Sequence, residues 1–288
     1  MEKLSMTNFG EKTTIFGKSA ENPEVQHKNS KYQSREALAG VLLLLVVLPE
    51  SLIYSGEIKI ALLLYAGILV ALSLISIFVK EKEIRNICQV FLLLPIFRII
   101  NFSVPTFPDY SLISFEYIYI PMIIPLTVII TRQQFTYEQL GLSFKKIWYY
   151  LPVSIIIGFI LGQGESFIMQ TTPLIPDLSF INILKLTVVM VFFVGITEEL
   201  LFRSILQTRL EGIFGLRGGL VLSSLIFGLM NSGFGSPYEI LYASFTGFII
   251  GYLFYRTGSL PFIALVHGFI SVFSFGIIPY LGHGLGIF

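Results

Sequence analysis

Charged residues are scarce in this chain. They make up 13% of its 288 residues, whereas 54% are hydrophobic and the mean hydropathy is +0.79. Because soluble domains carry about 25% charged residues, this shortage excludes a water-soluble globular protein. The 19 basic residues are balanced by 18 acidic ones. No large basic surface is left for nucleic acid, so no nucleic-acid partner is expected.

Cysteine and histidine are also rare. The one cysteine, Cys88, excludes an intramolecular disulfide and a thiolate metal cluster. Of the three histidines, His27 lies in a polar N-terminal segment and His283 follows the last apolar run, which leaves His267 inside an apolar run. Any histidine chemistry within the membrane would therefore depend on His267.

Long apolar runs are what the chain does contain. Runs of this length predict membrane-spanning helices, because lipid offers the backbone no hydrogen bonds and barrel strands are only about ten residues long. We therefore expect an all-α, polytopic membrane helix bundle of about eight to nine transmembrane helices. The runs lie at 37–54, 58–79, 86–104, 116–131, 148–168, 182–202, 219–232, 238–255 and 260–279.

The remaining segments suggest an organisation and an orientation. Residues 1–36 are polar and poor in apolar side chains, which predicts a mobile tail. Residues 37–179 are expected to form the N-terminal helices, residues 180–279 a core, and residues 280–288 a short C-terminal tail. Lys and Arg collect in the tail and in alternate connections, at 80–85, 132–146 and 203–217, whereas 105–115, 169–181 and 233–237 contain none. By the positive-inside rule, the N-terminus is predicted to be cytoplasmic.

Two adjacent carboxylates, Glu198 and Glu199, end the sixth apolar run. An acidic side chain inside a membrane helix costs about 2.5–3.5 kcal/mol, so each needs a partner or a function. Glu199 and Arg203 stand at i and i+4, which predicts an ion pair within the helix. Glu198 has no cation at helical spacing, and a desolvated carboxylate beside another one suits a general base. The alternative to a general base is that Glu198 is a carboxylate at the membrane interface with no catalytic role.

Two other helices carry polar groups at helical spacing. Phe227 and Asn231 share one helix face, and His267 and Ser271 share another. Each pair alone is more typical of an interhelical hydrogen bond than of a catalyst. Together with an uncompensated carboxylate, they favour a water-filled site.

These residues resemble the CPBP family of intramembrane proteases, also called Abi proteins, which includes the type II CAAX prenyl endopeptidases. Its first motif, Glu-Glu-x-x-x-Arg, is matched in full. The second, Phe-x-x-x-His, has Asn in place of His here, and the third, His-x-x-x-Asn or Asp, ends in Ser. The matching residues are Glu198, Glu199 and Arg203, then Phe227 and Asn231, then His267 and Ser271. The resemblance covers about residues 180–275.

The resemblance implies a role for each position. Glu198 would activate the attacking water, and Glu199 would be held by Arg203. Asn231 would orient the water, and His267 with Ser271 would stabilise the oxyanion. The substrate would be a membrane-associated, in some relatives prenylated, protein or peptide at the lipid bilayer.

The altered positions leave the cofactor and the activity open. A divalent metal such as zinc would have Glu198 and His267 as ligands, but Asn231 is a poor zinc ligand and cannot accept a proton. A metal-independent glutamate mechanism or a degenerate site fits better. The alternatives to an endopeptidase are a non-catalytic relative that binds a peptide or membrane protein in immunity or sorting, and a proton-coupled secondary transporter that uses Glu198.

Overall fold

The computed structural model describes residues 23–103 and 112–282, with side chains from residue 37 onwards. Throughout these residues the regular secondary structure is helical. The principal helices are α1 Pro23–Tyr54, α2 Ile58–Phe78, α3 Lys82–Phe91, α4 Leu93–Ser103, α5 Leu112–Arg132, α6 Tyr137–Leu140, α7 Ile147–Met169, α8 Phe180–Val188, α9 Ile196–Glu199, α10 Thr208–Leu229, α11 Pro237–Thr257, α12 Leu260–Val272 and α13 Ile278–Leu281.

The chain divides into two units, residues 1–38 and 39–288. In the first unit, helix α1 already begins at Pro23, so helical structure extends into the segment predicted to be a tail. The mobility and cytoplasmic location of that tail stay predictions, and residues 1–22 lie outside the described residues, as do 104–111 and the predicted C-terminal tail beyond 282.

The second unit confirms the predicted polytopic helix bundle. Seven helical stretches of the described residues are long and apolar enough to cross a membrane. One of them, Phe180–Phe234, has 55 residues, more than twice the length of about 20 that a crossing needs. It is interrupted at Gly215, whose φ of 74° and ψ of 171° are not helical. The chain is therefore an integral, multi-pass membrane protein.

The break lies within residues 203–217, the segment predicted to connect two spans. Apart from Gly215, this connection is helical. The turns on both sides of α9 are π-helical, at Val189–Gly195 and at Leu200–Gln207. Such widened turns occur often at functional sites, and α9 between them carries Glu198 and Glu199.

Glycines let the helices around α9 approach closely. A Cβ atom at Gly195 would lie 2.6 Å from the carbonyl oxygen of Ala264 on α12, and one at Gly268 would lie 2.7 Å from Cα of Val191. The two contacts are reciprocal, since each glycine faces the backbone of the other helix. They bring His267, the neighbour of Gly268, next to the helix that carries the two glutamates.

Candidate active site

Glu199 is the centre of a buried polar cluster. Its side chain is fully buried, and Arg203 Nε lies 3.2 Å from its Oε2 while Arg203 Nη1 donates to its Oε1 at 3.3 Å. The ion pair predicted from the i,i+4 spacing is therefore present. His267 Nδ1 lies 2.5 Å from the same Oε1. Glu199 thus joins α12 to the helix of the first motif.

Arg203 makes two further contacts that fix its position. Its Nη2 donates to the carbonyl oxygen of Gly247 on α11 at 3.2 Å, and its guanidinium lies 4.3 Å from the ring centroid of Phe227 on α10. The second contact is a cation–π interaction. Phe227, the first residue of the second motif, therefore packs on Arg203 and helps to order the ion pair.

Glu198 has partners from two other helices, which its own helix could not reveal. Its Oε1 accepts a hydrogen bond from the hydroxyl of Tyr119 on α5. Its Oε2 lies 3.7 Å from His267 Nε2. The Glu198 side chain is 14% exposed, whereas that of Glu199 is fully buried. Glu198 is therefore the accessible carboxylate of the two.

The contact of His267 with Glu199 limits its protonation states. A carboxylate can only accept a hydrogen bond, so Nδ1 of His267 carries the hydrogen that it donates to Glu199. Nε2 is then the nitrogen that faces Glu198. The separation of 3.7 Å exceeds a direct hydrogen bond and is too short to hold a water between the two atoms, but a water beside them can contact both.

The altered motif residues lie differently. Asn231 is half-buried, and its Nδ2 donates to the carbonyl oxygen of Phe227 at 2.9 Å. This bond is local, so the described contacts do not join Asn231 to Glu198. Ser271 is 6% exposed and lies one helical turn after His267. The structure thus brings Glu198, Glu199, Arg203 and His267 together, and it places Ser271 on the helix that carries His267.

A second buried ion pair holds the turn that contains Asn231. Arg98 on α4 donates to both carboxylate oxygens of Glu50 on α1, from Nε at 2.7 Å and from Nη2 at 2.6 Å. Glu50 also accepts from the hydroxyls of Tyr65 and Ser232, and Arg98 Nη2 donates to the carbonyl oxygen of Met230. Residues on both sides of Asn231 are therefore bonded to the N-terminal helices.

The polar side chains that the N-terminal helices contribute were not predicted from the sequence. They are Glu50, Tyr65, Arg98 and Tyr119. For the charged ones a signal was available, since a single ionisable residue inside a membrane helix suggests a functional or paired group. Tyrosine gives no such signal, because it is common at membrane interfaces.

The donor groups do not fit a metal ion. Glu199 is bonded to Arg203 and to His267 Nδ1, and the amide of Asn231 is a poor zinc ligand. In the part of the chain that the structure describes, no three side chains of His, Cys, Asp or Glu are grouped so that they could hold a metal ion. The site does not provide the ligand set that zinc would need, and no step below depends on a metal.

Fold and site together define a polytopic helical membrane protein with a Glu-Glu-Arg-His cluster between its helices. A family model described as type II CAAX prenyl endopeptidase Rce1-like matches residues 180–273. The matched segment contains both glutamates, Arg203 and His267, and is similar to that family of CAAX proteases. No curated protein matches the chain, and no solved structure does.

Proposed function

We propose that this chain is an intramembrane endopeptidase that hydrolyses a peptide bond of a membrane-associated protein or peptide, with prenylated chains among the candidate substrates. The observation that supports this most is the gap of 3.7 Å between Glu198 Oε2 and His267 Nε2. One side of this gap is a carboxylate held by Tyr119, and the other is an imidazole held by Glu199. Both groups are oriented before a water arrives.

Each group in this proposal has one task. Glu198 takes a proton from the water while the water oxygen attacks the carbonyl carbon. Nε2 of His267 contacts the same water. Ser271 donates to the developing oxyanion, together with His267 when its Nε2 carries a proton. Glu199 and Arg203 hold the imidazole and touch no substrate.

Cleavage of candidate membrane peptides by the purified protein tests this proposal. Membrane peptides with and without a prenylated cysteine are incubated with the protein in lipid vesicles, with and without chelator. Glu198→Gln should lower the cleavage rate by about 10²–10⁴-fold, since it removes the base but keeps the shape of the side chain. The control is Glu211→Gln, a half-buried carboxylate on α10 that accepts a hydrogen bond from Gln207. Wild-type rates in Glu198→Gln would refute its role as the base.

A non-catalytic peptide-binding relative is the second candidate, and it is favoured by one observation. The second-motif position holds Asn231, whose amide is bonded to its own helix. In an active enzyme, Asn231→Ala should slow cleavage by about tenfold or more if Asn231 orients the water. In a non-catalytic relative, wild type binds peptide without turnover, and Asn231→His restores some cleavage. Equal cleavage by all three proteins would place Asn231 outside the site.

A further inference from the structure

Helices α7 and α12 begin at the same level of the bundle. Near their first residues, the rings of Tyr150 and Phe262 stack with their centroids 4.3 Å apart. About two helical turns later, a Cβ atom at Gly158 would lie 3.0 Å from the carbonyl carbon of Phe269. Because the contacts advance together, the two helices run in the same direction. Both belong to stretches long and apolar enough to cross a membrane, so both crossings start at the same end of the bundle.

The segment that leads into α7 is bonded to the start of α12. The backbone N–H of Leu260 donates to the carbonyl oxygen of Gly141 at 2.7 Å. The hydroxyl of Ser259 donates to the carbonyl oxygen of Ser143 at 2.9 Å. These two bonds hold the residues that precede α7 beside the turn between α11 and α12.

Three exposed cations lie at this junction. Lys145 and Lys146 directly precede α7, and Arg256 lies in the last turn of α11. None of the ion pairs found among the described residues involves them. The chain has no Asp or Glu at 139–164 or at 240–288, so the neighbouring sequence offers them no carboxylate either. Lys145, Lys146 and Arg256 are called the basic patch below.

Exposed aromatic side chains accompany the basic patch. Trp148 and Tyr149 follow the two lysines and are 85% and 68% exposed, and Tyr255, which precedes Arg256, is 52% exposed. Tryptophan and tyrosine are enriched at the level of the lipid headgroups, where basic residues attract anionic lipids. The basic patch therefore combines a position at the membrane surface with an uncompensated positive charge.

We propose that the basic patch binds the headgroup of an anionic phospholipid. Ammonium and guanidinium groups donate charge-assisted hydrogen bonds to phosphate oxygens, and a net negative headgroup supplies the charge that the surrounding sequence lacks. The occupant is a lipid because the patch adjoins exposed aromatic side chains at the start of two membrane crossings, where acyl chains lie alongside. The inference does not depend on the proposed peptidase activity.

Trp148 provides the test, because it is the one tryptophan of the chain and follows the two lysines closely. The full chain is placed in phosphatidylcholine vesicles that contain equal mole fractions of either brominated phosphatidylglycerol or brominated phosphatidylcholine. Bromine atoms on the acyl chains quench tryptophan fluorescence at short range. The anionic lipid should associate near Trp148 about fivefold more strongly or better, and quench it more. This preference should fall as the salt concentration rises.

Two triple variants with the same net charge separate a local site from the overall charge of the protein. The test variant replaces the basic patch with Lys145→Gln, Lys146→Gln and Arg256→Gln. It should be quenched equally by the two lipids. The control, Lys59→Gln with Lys80→Gln and Lys82→Gln, removes three other exposed lysines and should keep the wild-type preference. Because all six side chains are exposed, both variants should keep the helical circular dichroism of wild type.

Several outcomes would overturn the inference. Equal quenching of wild type by the two lipids would show that no anionic lipid is enriched beside Trp148. A preference that persists in the test variant would place its cause outside the basic patch, and an equal loss in the control would attribute it to the overall charge. Inorganic phosphate added at constant ionic strength should leave the preference unchanged. A preference abolished by phosphate would identify a soluble anion, not a lipid, as the occupant.

Discussion

The buried pair of Arg98 and Glu50 provides the sharpest test of how the N-terminal helices support the site. The two residues are 5% and 1% exposed, and Arg98 donates three hydrogen bonds, two to Glu50 and one to the Met230 carbonyl oxygen. In Arg98→Met all three are lost, and a buried carboxylate remains without its cation. Breaking a buried pair costs about 3–5 kcal/mol. Tyr65 and Ser232 still donate to Glu50, so we expect the lower end, about 3 kcal/mol.

The loss is measurable in mixed micelles. The helical circular dichroism signal is followed as the fraction of dodecyl sulfate rises, because Trp148 is 85% exposed and its fluorescence is a poor reporter of the core. A loss of about 3 kcal/mol corresponds to a change of about a hundredfold in the unfolding equilibrium. The control is Arg85→Met, since Arg85 is half-buried and makes a long contact of 3.5 Å with the Val79 carbonyl oxygen. This control should change stability by about 0.5 kcal/mol or less.

A double variant checks the physical reason. Glu50→Gln removes the stranded charge and keeps one acceptor oxygen, which can serve one of the two hydroxyls that now donate to separate oxygens of Glu50, those of Tyr65 and Ser232. Glu50→Gln combined with Arg98→Met should therefore be more stable than Arg98→Met alone. The sum of the losses in free energy of unfolding of the two single variants should exceed the loss of the double variant by about 0.5–3 kcal/mol. Strict additivity, or a wild-type unfolding curve for Arg98→Met, would refute the reasoning.

Two further substitutions separate the roles of the paired glutamates. Tyr119→Phe removes the hydroxyl that donates to Glu198 Oε1, so cleavage should slow by about tenfold to a hundredfold. The unfolding curve of this variant should stay close to that of wild type. An unchanged cleavage rate would mean that Tyr119 does not orient the base. Glu199→Gln leaves Arg203 buried without a carboxylate, so the same micelle titration should show a loss of about 3–5 kcal/mol in the free energy of unfolding. Glu198→Gln should be about as stable as wild type. Equal stability of the two variants would contradict the structural role assigned to Glu199.

The sequence was sufficient to predict the helix bundle and the ion pair of the first motif. Apolar runs determine membrane helices, and the four-residue spacing of Glu199 and Arg203 determines which side chains meet. The sequence was insufficient to predict contacts between side chains on different helices. Nothing in the spacing of Glu198 indicates that Tyr119 donates to it, because that contact depends on how α5 packs against α9.

The close contacts at two glycines are a second feature that could not be predicted from the sequence. Gly195 and Gly268 are ordinary small residues in an apolar run, and only their opposition across two helices makes them important. That opposition sets His267 against Glu199 at 2.5 Å. The π-helical turns beside α9 were equally invisible, since a widened turn leaves the same apolar composition as an α-helical one.

The family match begins at residue 180, but the candidate site also includes residues that precede it. Tyr119 holds Glu198 from α5, and Arg98 and Glu50 bond to the residues beside Asn231. The matched segment supplies the two glutamates, the arginine and the histidine, whereas the preceding helices orient one glutamate and anchor the second-motif turn. Because these contacts join the preceding helices directly to Glu198 and to the residues beside Asn231, changes in the polar residues of those helices should alter the candidate site as directly as changes in the motifs.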